Sequence, residues 1–358
     1  MKIAISGYYG FNNAGDEAIL EALKLGLSET HPESKISILD SGNRFNFKML
    51  KDCDLLISGG GGLLQDKTST RSFLYYISII RLAKLLGKKV YVFAQGIGPI
   101  TKWYNLLLLK RTLNLVDLIT VRDINSFNYL KSLKLKNPKI IETADPTFIL
   151  TPEDAAPATR LISSKSGGQG EKLLKVEGIA TNKRPLIGVS IRKIGKNNPD
   201  IKILAEALDQ IAVKANAQIV FIPFQCPQDV LASRQAMESM KEKSNLVFRE
   251  CRPREIMGLI NQMDAIIGMR LHSLIFAVNC SIPAVGLSYD PKVDAFMEEV
   301  GLPYLPSLSF NPEDLILAVL GLLDNKAGVV NSLKLIKRKL FSKAISNFGM
   351  LNLIKMSR

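Results

Sequence analysis

At 358 residues the chain exceeds the size at which one hydrophobic core usually stops growing, so two domains are expected, with a ligand cleft where they meet. A hydrophobic share of 47%, a charged share of 22% and a mean hydropathy of +0.12 exclude a disordered chain. The net charge of +14 calls for an anionic partner: a phosphorylated substrate, an anionic membrane surface or nucleic acid. Nucleic acid is disfavoured by 7% aromatic residues and by the lack of any ribonucleoprotein or zinc-finger spacing.

KIAIS (2–6) is a short apolar run without the basic start, long apolar core and cleavage site of a secretory signal. No later apolar run reaches the ~18 residues of a membrane span without Lys or Arg, so a cytoplasmic protein is expected. The first run ends in GYYGFNNAGDEAIL (7–20), where Gly7, Gly10 and Gly15 lie between a predicted strand and a helix spaced by Ile19, Leu20, Leu23 and Leu27. The glycine spacing matches neither the dinucleotide fingerprint nor the P-loop, and Asp16 and Glu17 at the helix start would repel a phosphate. Asn12, Asn13 and Asp16 are therefore read as groups that recognise ligand hydroxyls, the alternative being a purely structural turn.

KISILD (35–40) is the next strand, followed by DLLISGGGG (54–62). Four consecutive glycines are unfavourable unless something must approach the backbone closely. Gly60 and Gly61, with Gln65 just beyond, are accordingly candidate ligand contacts, and tight packing of helix on sheet is the alternative. KKVYVFAQGIG (88–98) repeats the arrangement, with Gln95 as a candidate hydroxyl reader. DLITVRD (117–123) ends in Arg122 and Asp123, which either face a ligand or pair with each other, and KIIETAD (139–145) completes the series. Short buried strands alternating with helices predict an α/β domain over 1–150, with a parallel sheet and ligands at the carboxyl ends of its strands.

Residues 151–183 change character, with PEDAAPATR and SSKSGGQGEK, and read as a linker or surface insertion. RPLIGVSIRK (184–193), NAQIVFIPFQ (216–225), SNLVFRE (244–250), MDAIIGMR (263–270) and IPAVGLSYD (282–290) then predict a second α/β domain over 184–324. Its sharpest feature is GMRLHSLIFA (268–277), which places Arg270, His272 and Ser273 where a strand turns into a helix, a position that favours anions. His272 is one of two histidines and suits proton transfer near neutral pH, unless it is simply a histidine satisfied inside the fold; His31 reads as an exposed loop residue. Arg192 and Lys292 also follow strand ends and are candidate anion ligands or plain surface charges. Residues 325–358 carry eight Lys and Arg and no acid around Leu333, Ile336, Leu340, Phe341 and Ile345. That tail is a basic amphipathic segment which either lies on an anionic membrane or packs on the body with a solvated basic face. Cys53, Cys226, Cys251 and Cys280 lack ligand spacing, so no metal site is expected.

In this order GYYGFNNAGDEAIL, GGGGLLQD, AQGIGP, VRD, SIRK and RLHSLIFA resemble the polysaccharide pyruvyl transferase family, its bacterial cell-wall branch above all, across nearly all of the chain but 151–183 and the basic tail. The resemblance implies an α/β fold of two Rossmann-like domains in a glycosyltransferase-B-like arrangement, with the acceptor side in 1–150 and the donor side in 184–324. It implies phosphoenolpyruvate as co-substrate without a further cofactor. A sugar hydroxyl pair would be the acceptor, an N-acetylmannosamine-type residue of a lipid-linked cell-wall or exopolysaccharide precursor, converted to a pyruvate ketal with release of phosphate. The enzyme would then work at the inner face of the cell membrane. On this reading His272 and Arg270 are catalytic, Arg192, Lys292, Ser273 and Arg122 hold the donor, and Asn12, Asn13, Asp16, Gly60, Gly61, Gln65 and Gln95 hold the acceptor. A nucleotide-sugar glycosyltransferase and a non-catalytic protein binding anionic polysaccharide or membrane remain the rival readings.

Overall fold

The computed structural model describes residues 1–44, 46–67, 69–152, 184–192, 200–247, 250–307 and 309–355. Apart from Thr151 and Pro152, the expected linker at 151–183 lies outside the described residues. The chain divides into two compact units, one made of 1–11, 16–149 and 339–358, the other of 12–15 and 150–338.

The first unit is built on six strands: β1 (Lys2–Ser6), β2 (Lys35–Leu39), β3 (Leu55–Ser58), β4 (Lys89–Gln95), β5 (Leu118–Val121) and β6 (Lys139–Glu142). They lie in the order β2-β1-β3-β4-β5-β6, every neighbouring pair parallel. β3 and β5 are buried along their whole length, which is why they read as unbroken apolar runs instead of alternating ones. Ile77, Ile80, Leu109 and Leu113 from the crossover helices Thr70–Leu85 and Trp103–Leu113 close over Leu56, Val90 and Val92. The chain runs from β1 outward to β2 and returns to β3 on the other side, so the order reverses between β1 and β3. Such a switch point leaves a crevice beyond the carboxyl ends of the two strands.

The second unit repeats the design with β7 (Leu186–Ser190), β8 (Gln218–Phe221), β9 (Ser244–Leu246), β10 (Ala265–Gly268), β11 (Ala284–Ser288) and β12 (Tyr304–Pro306) in the order β12-β11-β10-β7-β8-β9. Counted from its own first strand this is 3-2-1-4-5-6 mirrored, the Rossmann order, and its switch point lies between β7 and β10. Gly188 and Gly268 are constrained by packing: a Cβ on Gly188 would meet Ile266, and one on Gly268 would meet Ser273 and Leu274.

The basic tail is one long helix, Lys326–Gly349, followed by Leu351–Lys355. Its part beyond residue 338 belongs to the first unit, where Phe348 packs on Phe93 and fills the space that a side chain on Gly26 would need. Asn347 is fully buried: its Oδ1 accepts from Thr143, its Nδ2 donates to the carbonyls of Ala144 and Ala344, and its own carbonyl accepts from Tyr91. Of the two readings of the tail, packing on the body accounts for this half. Among the described residues no single helix is long and apolar enough to cross a membrane.

Candidate functional site

In the second unit Ser190 and Gly268 pair across the switch point, so Arg192 and Arg270 each stand two residues past the paired strand ends. Arg270 is the residue before the helix Leu271–Asn279. Its guanidinium grips a carboxylate that sequence reasoning missed: Nε donates to Asp229 Oδ2 at 3.0 Å and Nη2 to Oδ1 at 2.6 Å, while Nη2 also reaches Gln225 Oε1 at 3.0 Å. Asp229 is fully buried and also accepts from the backbone N–H groups of Phe224 and Gln225. A carboxylate carrying four donors fixes the planar fork of Arg270 on one edge. The Nη1 edge carries no hydrogen bond among the described residues. The signal that could have found Asp229 is the turn IPFQCPQD after β8, a polar, proline-bearing strand-to-helix turn like those that were singled out.

His272 lies in the first turn of the same helix, partly buried, with its ring edge-on to Phe276. Residues 12–15, which belong to this unit, pack against it: a Cβ on Gly15 would sit 2.1 Å from His272 Nδ1. Ala14 N–H donates to the Phe224 carbonyl, and Asn13 forms a bridge with Gln225. Gly15 is thus a glycine because an imidazole occupies the place of its side chain. Asn12 takes a left-handed backbone, φ 55°, and Asn13 Oδ1 accepts from Gly15 N–H at 3.1 Å. Two sequence motifs far apart in the chain, NNAG and RLHS, therefore meet on one histidine.

Arg192 donates through Nη1 to the Tyr289 hydroxyl at 2.8 Å, with its guanidinium carbon 4.6 Å from the centre of the same ring. Tyr289 directly follows β11, and Arg192 follows β7, so the pair joins the ends of the two strands that flank β10. Lys292 sits partly buried in the first turn of the helix Pro291–Val300, capped by Asp290. Ser273, expected on the donor side, is fully buried and donates its hydroxyl to the Arg270 carbonyl at 2.6 Å; it secures the turn instead of facing a ligand.

In the first unit Asp16 stands in the first turn of the helix Ala14–Thr30, with Oδ1 3.0 Å from where a Cβ on Gly61 would lie. Gly61 has φ +91°, so only glycine is comfortable there. Gly59 and Gly60 answer to packing: the Tyr9 hydroxyl fills the Cβ position of Gly59, and Ile19 presses on Gly60. Tyr9 is completely buried, with its hydroxyl unbonded among the described residues. Burial first, then the charge of Asp16, pushes its ionisation well above the ordinary tyrosine range. Gln95 departs from the expectation of a hydroxyl reader. It is 0% exposed, and its amide donates to the carbonyls of Ser58 and Gly59 and to the Ser58 hydroxyl, pinning the glycine turn from beneath. Gln65 is partly buried just past that turn.

Arg122 forms a buried ion pair with Asp145 at 2.7 Å, not with Asp123, which caps the helix Ile124–Ser132. Gly96 packs on that guanidinium. His31 is buried at the end of its helix against Thr30, where an exposed loop residue was expected.

A family model described as polysaccharide pyruvyl transferase matches residues 13–291. The amylovoran biosynthesis protein AmsJ of Erwinia amylovora is 24% identical over 288 residues, 77% of this chain and 67% of that protein. Among solved structures, the UDP-GlcNAc 2-epimerase of Neisseria meningitidis is similar over the whole of both chains with a TM-score of 0.66 at 13% identity. The MnaA protein of S. aureus, solved with UDP, is similar over 99% of this chain and 96% of its own with a TM-score of 0.68 at 12% identity. These likenesses show the fold, two parallel-sheet Rossmann-like units of the glycosyltransferase-B-like class, and the family match extends over Gly15, the glycine turns at 59–62 and 96–98, Arg122, Arg192, Arg270 and His272. The chain belongs to the polysaccharide pyruvyl transferase family.

Proposed function

We propose that the protein transfers the pyruvyl group of phosphoenolpyruvate to two hydroxyls of a sugar in a polysaccharide precursor, forming a cyclic ketal and releasing phosphate. The observation that carries this reading is the turn after β10, where a guanidinium locked on one edge and an imidazole held in a glycine-sized niche share one helix start. The reaction needs a proton delivered to the methylene carbon of phosphoenolpyruvate while a sugar hydroxyl attacks the adjacent carbon. The C–O bond to phosphate then breaks, phosphate leaves with that oxygen, and the second hydroxyl closes the ring. The two hydroxyl protons balance the one gained by the methyl group and the one carried off by phosphate.

His272 is the proton donor in this scheme. Arg270, through its remaining edge, and Arg192, steadied on Tyr289, bind the carboxylate and phosphate, with Lys292 supporting the phosphate. The helix dipole behind Arg270 favours the same anions. Asn12, Asn13, Asp16 and Gln65 orient the acceptor, with Gly61 giving it backbone access. A lipid-linked saccharide ending in an N-acetylmannosamine-type residue is the acceptor class this reading favours, which places the work at the cytoplasmic face of the membrane.

The test is phosphate release from phosphoenolpyruvate in the presence of lipid-linked or aryl-linked amino sugars, with the product weighed by mass spectrometry. A mass gain matching a pyruvyl ketal is expected, and His272→Ala should lower kcat by ~10²–10⁴. Full activity in that variant, or turnover of a nucleotide sugar with none of phosphoenolpyruvate, would overturn the reading.

A further inference from the structure

In the first unit the carboxyl ends of β3 and β4 lead into the helices Thr70–Leu85 and Trp103–Leu113, and right-handed crossovers put both on one face of the sheet. The two pack side by side, and Lys102 Nζ donates to Thr70 Oγ1 at 2.7 Å, which brings their starts together.

Their outer faces are both apolar and basic. On the second helix Trp103, 77% exposed, is followed on the same face by Leu107, Lys110 and Arg111, with Tyr104 beside them. On the first helix Leu74 and Leu85, the latter 83% exposed, alternate with Arg71 and Arg81. Residues 67–116 contain nine Lys and Arg and no Asp or Glu. The acids that bound this stretch are turned inward. Asp66 is buried beneath Thr101, Lys102 and Asn105, and Asp117 pairs with Lys84 and Lys89. Lys67, Arg71, Arg81, Lys102, Lys110 and Arg111 are exposed and pair with no carboxylate among the described residues. The adjoining helix Phe47–Asp52 adds exposed Phe47, Lys48 and Lys51 against a single acid, Asp52.

We propose that this two-helix face docks on an anionic lipid leaflet, with Trp103, Leu107 and Leu74 entering the headgroup boundary and Arg71, Lys110 and Arg111 lying over acidic headgroups. Large apolar groups rimmed by cations suit that interface: the tryptophan ring prefers the headgroup level, and each cation near an anionic surface adds its own attraction. A second copy of the chain fits less well, because a face without exposed acids would meet its own positive charge. The C-terminal helix offers less, since Lys326 and Lys343 are already paired with Asp264 and Glu142. The first of these helices follows β3, whose end carries the 59–62 turn, and the second follows β4, whose last residue Gln95 bridges to Gly61, so the docking face borders the edge of this unit where Asp16 and Gly61 lie. The inference concerns binding and does not depend on which reaction is catalysed.

Trp103 is the only tryptophan in the chain, so its fluorescence reports on the face directly. Phosphatidylcholine vesicles with and without phosphatidylglycerol are added to the full-length protein, following Trp103 emission and co-sedimentation. A blue shift and binding only with phosphatidylglycerol, weakening with salt, are expected. The double variant Lys110→Glu, Arg111→Glu should reduce partitioning roughly ten-fold or more at an unchanged circular dichroism spectrum. Arg338→Glu, Lys339→Glu on the C-terminal helix should leave it within a small factor. Absence of a shift at low salt, equal binding to neutral vesicles, loss through the Arg338/Lys339 variant alone, or lipid-free self-association that buries Trp103 would each overturn the proposal.

Discussion

The fork of Arg270 is held by a residue 41 positions earlier in the chain, and that distance shapes what each partner can do. Asp229 has no exposed surface, so its part is to aim Arg270. Asp229→Asn keeps the volume but replaces one acceptor oxygen with a donor, which then opposes the guanidinium or the N–H groups of Phe224 and Gln225. If the pair only supported the fold, the variant would lose stability and show a smaller fraction of active molecules with unchanged KM. If it positions Arg270 for the donor, KM for phosphoenolpyruvate rises about ten-fold or more while KM for the sugar moves little, a split measured by varying each substrate in turn. Breaking a buried ion pair also costs about 3–5 kcal/mol of stability, so the kinetics are to be taken well below the variant's melting temperature.

At the scale of elements, the C-terminal helix beyond residue 338 behaves as a structural member of the first unit. Asn347→Leu would strand the Ala144 carbonyl in an apolar interior and leave the Thr143 hydroxyl only its longer bond to the Val121 carbonyl. Buried groups left unsatisfied cost about 1–3 kcal/mol each, so a melting temperature lower by several degrees is expected in thermal denaturation, with activity per folded molecule kept. Nothing in the tail's composition announced this, because a basic amphipathic pattern is the same whether its apolar stripe meets lipid or protein, and only Asn347 on that stripe argues for protein. The strands were legible for the opposite reason: LLIS, LITV and AIIG are buried on both faces, and contiguous apolar runs have few other uses. The glycine-rich turns were legible as places of close approach, but the approaching group was not. At Gly59 it is Tyr9, at Gly15 it is His272, and at Gly96 it is Arg122. Gln95 was misjudged because a glutamine in a turn after a strand looks the same from sequence whether its amide faces a ligand or the carbonyls of its neighbours.

Over the whole molecule, 47 basic and 33 acidic residues leave a net charge of +14, and the carboxylates nearest the candidate cations are committed to them. Asp229 neutralises Arg270 in part and Asp145 neutralises Arg122, so the local fields at those turns are weaker than a residue count implies. The surplus is carried instead by exposed side chains such as those along 67–116. Exposed charges at that density act at a distance: they would raise the encounter rate of the trianionic donor proposed above, and salt screens them over about 8–10 Å at ordinary ionic strength. Contacts inside the turn after β10, at a helix start and against buried partners, are screened far less. The two contributions separate kinetically. Raising the salt from low to physiological concentration should lower kcat/KM for phosphoenolpyruvate several-fold with kcat almost constant. Lys110→Glu, Arg111→Glu should flatten that dependence without touching kcat, whereas Arg192→Ala should lower kcat/KM at every salt concentration alike. A salt response confined to kcat would mean that the long-range field does not gather the donor.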